Sequence, residues 1–255
     1  MTQTFDKNST ASIKTIYSTS SLSWWPVILF LPARLVFAFI SQSLTAGLFL
    51  LNGSTNAWQD ATAWWPVYST VTDLLCLLTL VWLLRRENMK IIDTVGAKGK
   101  DILKQLAWTP AYLLAVAPTS ILASIVTQAF YGTALPPMIS VVNLSSAGEL
   151  YSLIVWPIIW VITEEIVYLG YLLPRIEAMS GKTWVAVLVV IFFWGIQHLA
   201  MPFIFDEKYL VSRILAAIVA ISSFPIVFVL WRRRLIPLIG VHYIADLATA
   251  ILIAL

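Results

Sequence analysis

Charged residues are scarce in this 255-residue chain. Only 11% of the residues are Asp, Glu, Lys or Arg, whereas 60% are hydrophobic and the mean hydropathy is +0.86. A soluble domain carries about 25% charged residues, so the composition excludes an ordinary water-soluble fold. It predicts an all-α, polytopic membrane protein whose membrane-embedded part is a single unit and whose first partner is the lipid bilayer.

Cysteine is scarcer still. Cys76 is the only one, which excludes an internal disulfide and any cysteine cluster for a metal. The chain also lacks internal repeats and nucleic-acid-binding motifs, so we expect no nucleic acid as a partner. Residues 1–24 are largely polar and rich in Ser and Thr, and we expect a flexible cytoplasmic tail there rather than a cleaved signal.

Apolar segments fill most of the remaining chain. A helix needs about 20 apolar residues to cross a bilayer. On this criterion the sequence predicts about seven transmembrane helices, at residues 25–51, 63–84, 105–131, 151–173, 183–205, 210–230 and 235–255. We separate a set of N-terminal membrane helices in residues 25–149 from a C-terminal set in residues 150–255. The amphipathic stretch 89–105 predicts a helix on the membrane surface.

Basic residues favour alternate linkers. Of the 16 Lys and Arg residues, 13 lie in the tail and in the second, fourth and sixth linkers. The positive-inside rule therefore places the N-terminus in the cytoplasm and the C-terminus outside, and we expect a prokaryotic cytoplasmic membrane. The sequence carries no signature of oligomeric state.

Two adjacent carboxylates interrupt the fourth apolar segment. An ionised side chain at the bilayer centre costs roughly 2.5 kcal/mol or more, so Glu164 and Glu165 indicate a polar pocket with a function. The only histidines, His198 and His242, also lie in apolar segments, and Asp246 follows His242 by one helical turn. Each of these groups is expected in the middle part of its span, where all of them can line one cavity.

Helical spacing predicts which side chains share a face. Residues three and four apart are neighbours on an α-helix, whereas adjacent residues lie about 100° apart. The fourth segment then carries one polar stripe, of Glu164, Tyr168, Tyr171 and Arg175, with Glu165 pointing elsewhere. Trp194 aligns with His198 on the fifth segment.

This set of polar groups suits the activation of water. Burial favours the protonated form of a carboxylate, so a buried carboxylate can serve as a general base near neutral pH. A histidine can share the proton, and further donors can stabilise the oxyanion of a tetrahedral intermediate. The pattern therefore predicts a hydrolase site without a protein nucleophile.

Three motifs carry a family resemblance. TEEIVYLGYL, FFWGIQHL and GVHYIAD, in this order on three spans, resemble the motifs of the CPBP intramembrane proteases (CAAX-processing and bacteriocin-processing, also called Abi). This family includes the type II CAAX prenyl endopeptidases, and its pattern is EExxxR, FxxxH and HxxxN or HxxxD. The resemblance covers roughly residues 150–250. It implies an endopeptidase that acts on a membrane-associated or lipidated peptide or protein.

The resemblance also implies roles for individual residues. Glu164 would activate the attacking water together with His198, while His242 and Asp246 would support the oxyanion. Glu165 would be a structural residue. This describes a glutamic-type protease that needs no cofactor. The family has also been described as metalloproteases, and two histidines with one glutamate can form a catalytic zinc site. Zinc held by Glu164, His198 and His242 is therefore an alternative, although the HExxH motif is absent.

The chain departs from the family pattern at two positions. Leu169 stands where the family has Arg, which leaves Glu165 without that partner, and Trp194 stands where the family has Phe. We expect Arg34, inside the first span, to be a substitute counter-ion, with Asp73 of the second span as its structural partner. Tyr168 is expected to pack beside the site.

Several other functions fit parts of the pattern. Buried carboxylates and histidines can join helices by hydrogen bonds alone. A catalytically weak immunity or scaffold protein would fit the missing Arg, and a proton-coupled transporter would use the same residue types. A haem protein with two histidine ligands would leave the Glu pair unexplained. If the protein is a protease, we expect its peptide substrate to enter from the inner leaflet or the cytoplasmic side.

Overall fold

Seven long helices dominate the structure. The computed structural model describes residues 23–97, 99–139 and 144–254, so most of the predicted tail lies outside the described residues. The structure is 83% helical, and the described part of the chain contains no strand. Seven helices are long and apolar enough to cross a membrane. The prediction of an all-α polytopic membrane protein is confirmed.

The observed spans follow the predicted ones with changes at their ends. They cover Trp25–Leu51, Trp65–Arg86, Thr109–Tyr131, Ser146–Ser180, Thr183–Ala200, Glu207–Leu230 and Leu235–Ile253. The first consists of two helices, Trp25–Phe30 and Ala33–Leu51, and the last helix continues to Ala254. The second and third spans each have a proline in their first turn. The N–H groups of a first turn have no partner within the helix, so the missing N–H of proline costs no hydrogen bond there.

Short helices occupy some of the linkers. Ala57–Thr62 precedes the second span, and a 3₁₀ turn at Pro137–Ile139 follows the third. The surface helix predicted at 89–105 is instead two helices, Ile91–Val95 and Lys100–Leu106. The break has a local cause, because Gly96 ends the first of them in the left-handed conformation, with φ of 68°.

The fourth span lies at the centre of the bundle. It packs against the second and seventh spans, while the third packs on the sixth, the fifth on the sixth and the first on the second. The fourth span is also the longest, with 35 residues. Its middle is buried on every side, so the glutamate pair that it carries is enclosed by neighbouring helices.

The ends of the spans define two faces of the bundle. We call the face that holds Arg86, Ser180 and the linker 231–234 the basic face, because ten of the 13 described basic residues lie in the segments that meet there. We call the opposite face, with residues 52–64, 132–139, 144–145 and 201–206, the far face.

Candidate active site

The fourth span changes its helical geometry at the glutamate pair. It is α-helical through Glu164 and π-helical over Glu165–Leu172, where all eight residues are buried. π-Helical turns are rare, and they occur frequently at functional sites. A helix that is buried all round is not constrained to one amphipathic face. The α-helical spacing used to predict a stripe therefore does not hold beyond Glu164.

The predicted stripe accordingly divides between two networks. The Tyr168 hydroxyl donates to Gln197 Oε1 at 2.9 Å, next to Glu164. Tyr171 and Arg175 lie nearer the basic face, where both bind the carboxylate of Glu87. Of the four side chains in the stripe, only Glu164 and Tyr168 thus belong to the candidate site.

Glu164 is buried and held by three donors. Arg34 and Gln197 both donate to Oε1, the latter at 2.6 Å, and Trp194 Nε1 donates to Oε2 at 2.7 Å. A carboxylate offers about four lone-pair sites, two on each oxygen. These three hydrogen bonds leave acceptor capacity on Oε2. That oxygen lies 3.6 Å from His242 Nε2.

Arg34 links the first, second and fourth spans. Its Nε and Nη2 donate to Asp73 Oδ1 at 2.9 and 2.7 Å, and its Nη1 donates to Glu164. The guanidinium also stacks over Trp160, 4.1 Å from the ring centroid. The expected pairing of Arg34 with Asp73 is therefore present. Its carboxylate partner in the glutamate pair is Glu164, however, and not Glu165 as predicted.

Trp194 contributes what a phenylalanine lacks. Besides its N–H donor to Glu164, its ring stacks on Tyr168, with centroids 5.2 Å apart and an interplanar angle of 6°. An indole has one N–H donor, whereas a phenyl ring has none. The departure from the family pattern at this position therefore adds a hydrogen bond to the carboxylate.

The hydrogen bond of His198 indicates which of its ring nitrogens carries the proton. Its Nδ1 lies 2.9 Å from the carbonyl oxygen of Trp194. Because a carbonyl only accepts, Nδ1 carries the proton, and in the neutral ring Nε2 is then free to accept one. His198 lies in the 3₁₀ turn Gln197–Ala200 at the end of the fifth span, not in its middle. The fifth span ends at Ala200, five residues earlier than predicted.

His242 stands among three carboxyl groups. Its Nδ1 lies 3.2 Å from Glu165 Oε1, and its Nε2 lies 3.6 Å from Glu164 Oε2 and 3.7 Å from Asp246 Oδ1. The two longer separations exceed direct hydrogen-bond distance, so Nε2 makes no close hydrogen bond to either carboxyl group. Both members of the glutamate pair therefore face His242, which the prediction for Glu165 missed.

Glu165 lacks the guanidinium that the family pattern would supply from position 169. Oε2 of Glu165 is buried without a hydrogen-bond partner among the described residues, and so is Oδ2 of Asp246. Leu169 is itself fully buried in the apolar cluster. A second guanidinium therefore does not enter the site from this position.

A cavity of about 400 Å³ adjoins these groups. His198, His242 and Asp246 line it, together with Trp160 and Arg213. Glu164 and Glu165 do not line the cavity, but both contact His242, which does. The volume is within the roughly 300–1,000 Å³ typical of ligand pockets.

Sequence reasoning missed three residues of this site. Gln197 bridges Glu164 and Tyr168, Trp160 stacks on Arg34, and Arg213 Nε donates to the carbonyl oxygen of His198 at 3.3 Å. A signal existed for Gln197 and Arg213, because each is a lone polar group in or beside an apolar run. For Trp160, only its place one turn before Glu164 pointed to the site.

The zinc alternative requires three converging ligands. No group of three or more His, Cys, Asp or Glu side chains in the described part of the chain is arranged to hold a metal ion. Glu164, His198 and His242 do not form such a group among the described residues.

The buried acids and two histidines beside a cavity suit a membrane-embedded hydrolase. A comparison with known protein families gives a match of that class. A family model described as type II CAAX prenyl endopeptidase Rce1-like matches residues 146–248. This match, over 103 of the 255 residues, confirms the family predicted from the three motifs. The match supports a CAAX-type intramembrane protease at the level of the family. No curated protein and no solved structure gives a significant match.

Proposed function

We propose that the protein is an intramembrane endopeptidase of the glutamic type, in which activated water attacks a peptide bond of a membrane-associated substrate. The observation that carries this proposal is that two of the three motifs line one cavity, while the glutamates of the third contact His242 in its wall. His198, His242 and Asp246 line the cavity, and Glu164 lies 3.6 Å behind His242. The family match supports the reaction class, and the geometry supports the assignment of roles.

Glu164 is the proposed base. Arg34 and Gln197 donate to its Oε1, whereas Oε2 lies on the side of His242, which lines the cavity, so we assign the contact with water to Oε2. Water bound between Oε2 and His242 Nε2 would give its proton to the carboxylate as its oxygen attacks the carbonyl carbon. General base catalysis of this kind contributes about 10²–10⁴-fold to the rate.

The two histidines take different parts in the proposed reaction. His198 offers Nε2 to the cavity as a proton acceptor, so it can orient the water. His242, with Nδ1–H donated to Glu165, can donate from Nε2 to the oxyanion in its protonated form, which the carboxylates of Glu165 and Asp246 would stabilise. Collapse of the tetrahedral intermediate breaks the C–N bond, and the proton taken from water passes to the leaving amine.

The orientation in the membrane belongs to the same proposal. The basic face carries the linkers rich in Lys and Arg, so we place it and the N-terminus in the cytoplasm and the C-terminus outside, in a prokaryotic cytoplasmic membrane. We also propose that the attacking water is not bound to a metal ion. We assign free water, because the candidate zinc donors do not converge.

Comparing peptide termini in membranes tests the function. Membranes with the wild-type protein should contain new peptide termini that are absent with Glu164→Gln, and Glu149→Gln, a half-buried glutamate in the same span, should keep them. If every terminus persists in Glu164→Gln at equal protein levels, the protease proposal is wrong. A catalytically weak immunity or scaffold protein, the second candidate that Leu169 favours, predicts that outcome.

Metal analysis separates the two protease types. Purified active protein should contain less than one equivalent of zinc, and chelators should leave its activity unchanged. Stoichiometric zinc, with loss of activity on its removal and recovery on its return, would establish the metalloprotease instead. A visible absorption spectrum of the same sample tests the haem alternative.

A further inference from the structure

The cavity lined by His198, His242 and Asp246, here called the catalytic cavity, lies nearer one face of the helix bundle than the other. The third span contributes residues from Ser120 to Thr127, in the half of Thr109–Tyr131 that ends at the far face. Beyond that end, Ala134, Leu135 and Pro136 of the following linker also line it. The cavity therefore runs from the two histidines toward the far face.

The opposite end of the cavity is closed by tight helix packing. A Cβ atom on Gly240 would lie 2.7 Å from Thr109 Oγ1, so the third and seventh spans touch there through a glycine. Close by, the Tyr112 hydroxyl donates to the carbonyl oxygen of Trp231 at 2.7 Å. These contacts join the spans at the basic face, and no residue of that face lines the cavity in the described part of the chain.

A second, smaller cavity continues the first. It measures about 270 Å³ and shares four wall residues with the catalytic cavity, namely Ala134, Leu135, Pro136 and Leu252. Pro137 and Ile253 extend it further. Leu252 lies near the end of the seventh span at the far face. The two cavities together form a path between that face and the site.

Small side chains give this path its width. Seven alanines line the catalytic cavity, and five of them lie on the sixth and seventh spans, at positions 216, 217, 220, 245 and 248. Alanine presents only a methyl group, so an extended peptide can lie between these helices. A folded helix, about 10–12 Å across, needs more room than small side chains alone provide.

We propose that the substrate is an extended, mainly apolar peptide segment that enters from the far face, between the third, sixth and seventh spans. This proposal rests on the proposed function, and it reverses the expectation of entry from the cytoplasmic side. With the basic face in the cytoplasm, cleavage takes place toward the outer side of the membrane. The substrate is then a secreted or membrane-anchored peptide rather than a cytosolic one.

Cysteine labelling of the full-length protein in intact bacterial cells tests this route. The native Cys76 is fully buried, so the wild-type protein should remain unlabelled. Ala216→Cys and Ala245→Cys place a thiol on the cavity wall, and Leu215→Cys places one at an exposed position beside Ala216 that does not line the cavity. Thr55→Cys marks the far face and Lys100→Cys the basic face, both at exposed positions. The probe is a charged, membrane-impermeant thiosulfonate.

The expected labelling rates follow from a cavity that opens at the far face. The two cavity thiols should react in intact cells at least tenfold faster than Leu215→Cys, as Thr55→Cys does, and Lys100→Cys should react only after the membrane is opened. Cavity thiols that react only together with Lys100→Cys would overturn the proposal, and so would cavity thiols that never react. If Lys100→Cys alone reacts in intact cells, the orientation is reversed, and cleavage toward the outer side is overturned.

A bulky reagent adds a functional readout. Labelling Ala216→Cys with a bulky maleimide should lower the rate at which this variant produces new peptide termini at least tenfold, compared with the same variant unlabelled. Labelling Thr55→Cys should leave the rate of that variant unchanged. If labelled Ala216→Cys keeps its rate, the cavity is not the substrate route. Accessibility does not depend on catalysis, so an inactive protein with a reactive cavity would refute the proposed function while leaving the path intact.

Discussion

The guanidinium of Arg34 binds the carboxylate of Glu164, a residue 130 positions further along the chain. Arg34 lies outside the segment that matches the family, whereas Glu164 lies within it. The pair therefore ties the N-terminal spans to the catalytic ones. It also supplies a guanidinium to the glutamate pair, although Leu169 occupies the position of the family Arg.

Removing one partner of this pair should destabilise the protein strongly. Breaking a buried ion pair from one side costs about 3–5 kcal/mol, because the remaining charge is left uncompensated. Arg34→Gln should therefore lower the free energy of unfolding by that amount, measured by thermal unfolding in detergent. Arg86→Gln is the matched control, because Arg86 is exposed, and it should change stability by less than about 0.5 kcal/mol.

A double-mutant cycle isolates the pair. If Arg34 acts through Glu164, the double variant Arg34→Gln/Glu164→Gln should be clearly less destabilised than the sum of its single variants. Asp73 also binds Arg34, so the coupling will not be complete. Additive single effects would show that the two side chains are not energetically linked.

Trp194→Phe restores the family residue but removes a donor to Glu164. The lost hydrogen bond should destabilise the protein by about 1–3 kcal/mol, because the acceptor stays buried. The rate of cleavage should also fall, since Oε2 loses the group that positions it. Trp184→Phe, at an exposed tryptophan on the same span, is the control and should leave both quantities unchanged. If the two variants have the same stability and the same rate of cleavage, Trp194 does not contribute to the site.

Glu165 is expected to position His242 rather than to act on water. Glu165→Gln keeps an oxygen that accepts from Nδ1 of His242, so its rate should stay within about tenfold of the wild type. Glu165→Leu removes that acceptor and should lower the maximal rate further at similar stability, because the buried, partly unpaired carboxyl is lost as well. Equal rates for the two variants would contradict the positioning role.

Leu169→Arg should not rescue the family pattern. Position 169 is fully buried in the apolar cluster, and Arg34 already occupies Glu164. An additional buried charge there should destabilise the protein by several kcal/mol, whereas Leu169→Met should cost less than about 1.5 kcal/mol. Unfolding in detergent measures both. A stable Leu169→Arg protein with higher activity would show that the missing Arg limits the wild type.

The sequence predicted the membrane class and the family better than the details of the site. Seven apolar segments and three ordered motifs were enough for both, because span length and isolated buried charges are strong signals. The position of Glu165 was missed because the prediction assumed α-helical spacing. The π-helix that begins at Glu165 depends on packing around the whole span, which no local pattern records.

The partner of Arg34 was only half predicted, for a similar reason. Its pairing with Asp73 is indicated by two lone charges on neighbouring spans. The choice of Glu164 over Glu165 depends on the rotation of the fourth span against the first, which is set by tertiary contacts. His198 was placed too deep in its span, because the apolar run continues past Ala200 although the helix ends there.

The most direct test of the central claim is the cleavage rate of purified Glu164→Gln in lipid vesicles. The substrate is a peptide that carries the terminus identified in membranes, and Glu149→Gln is the control. We predict that Glu164→Gln cleaves at least about 10²-fold more slowly than the wild type, as expected for the loss of a general base. Glu149→Gln should match the wild type. A Glu164→Gln protein that is folded by its melting temperature and cleaves at a rate within tenfold of the wild type would contradict the account.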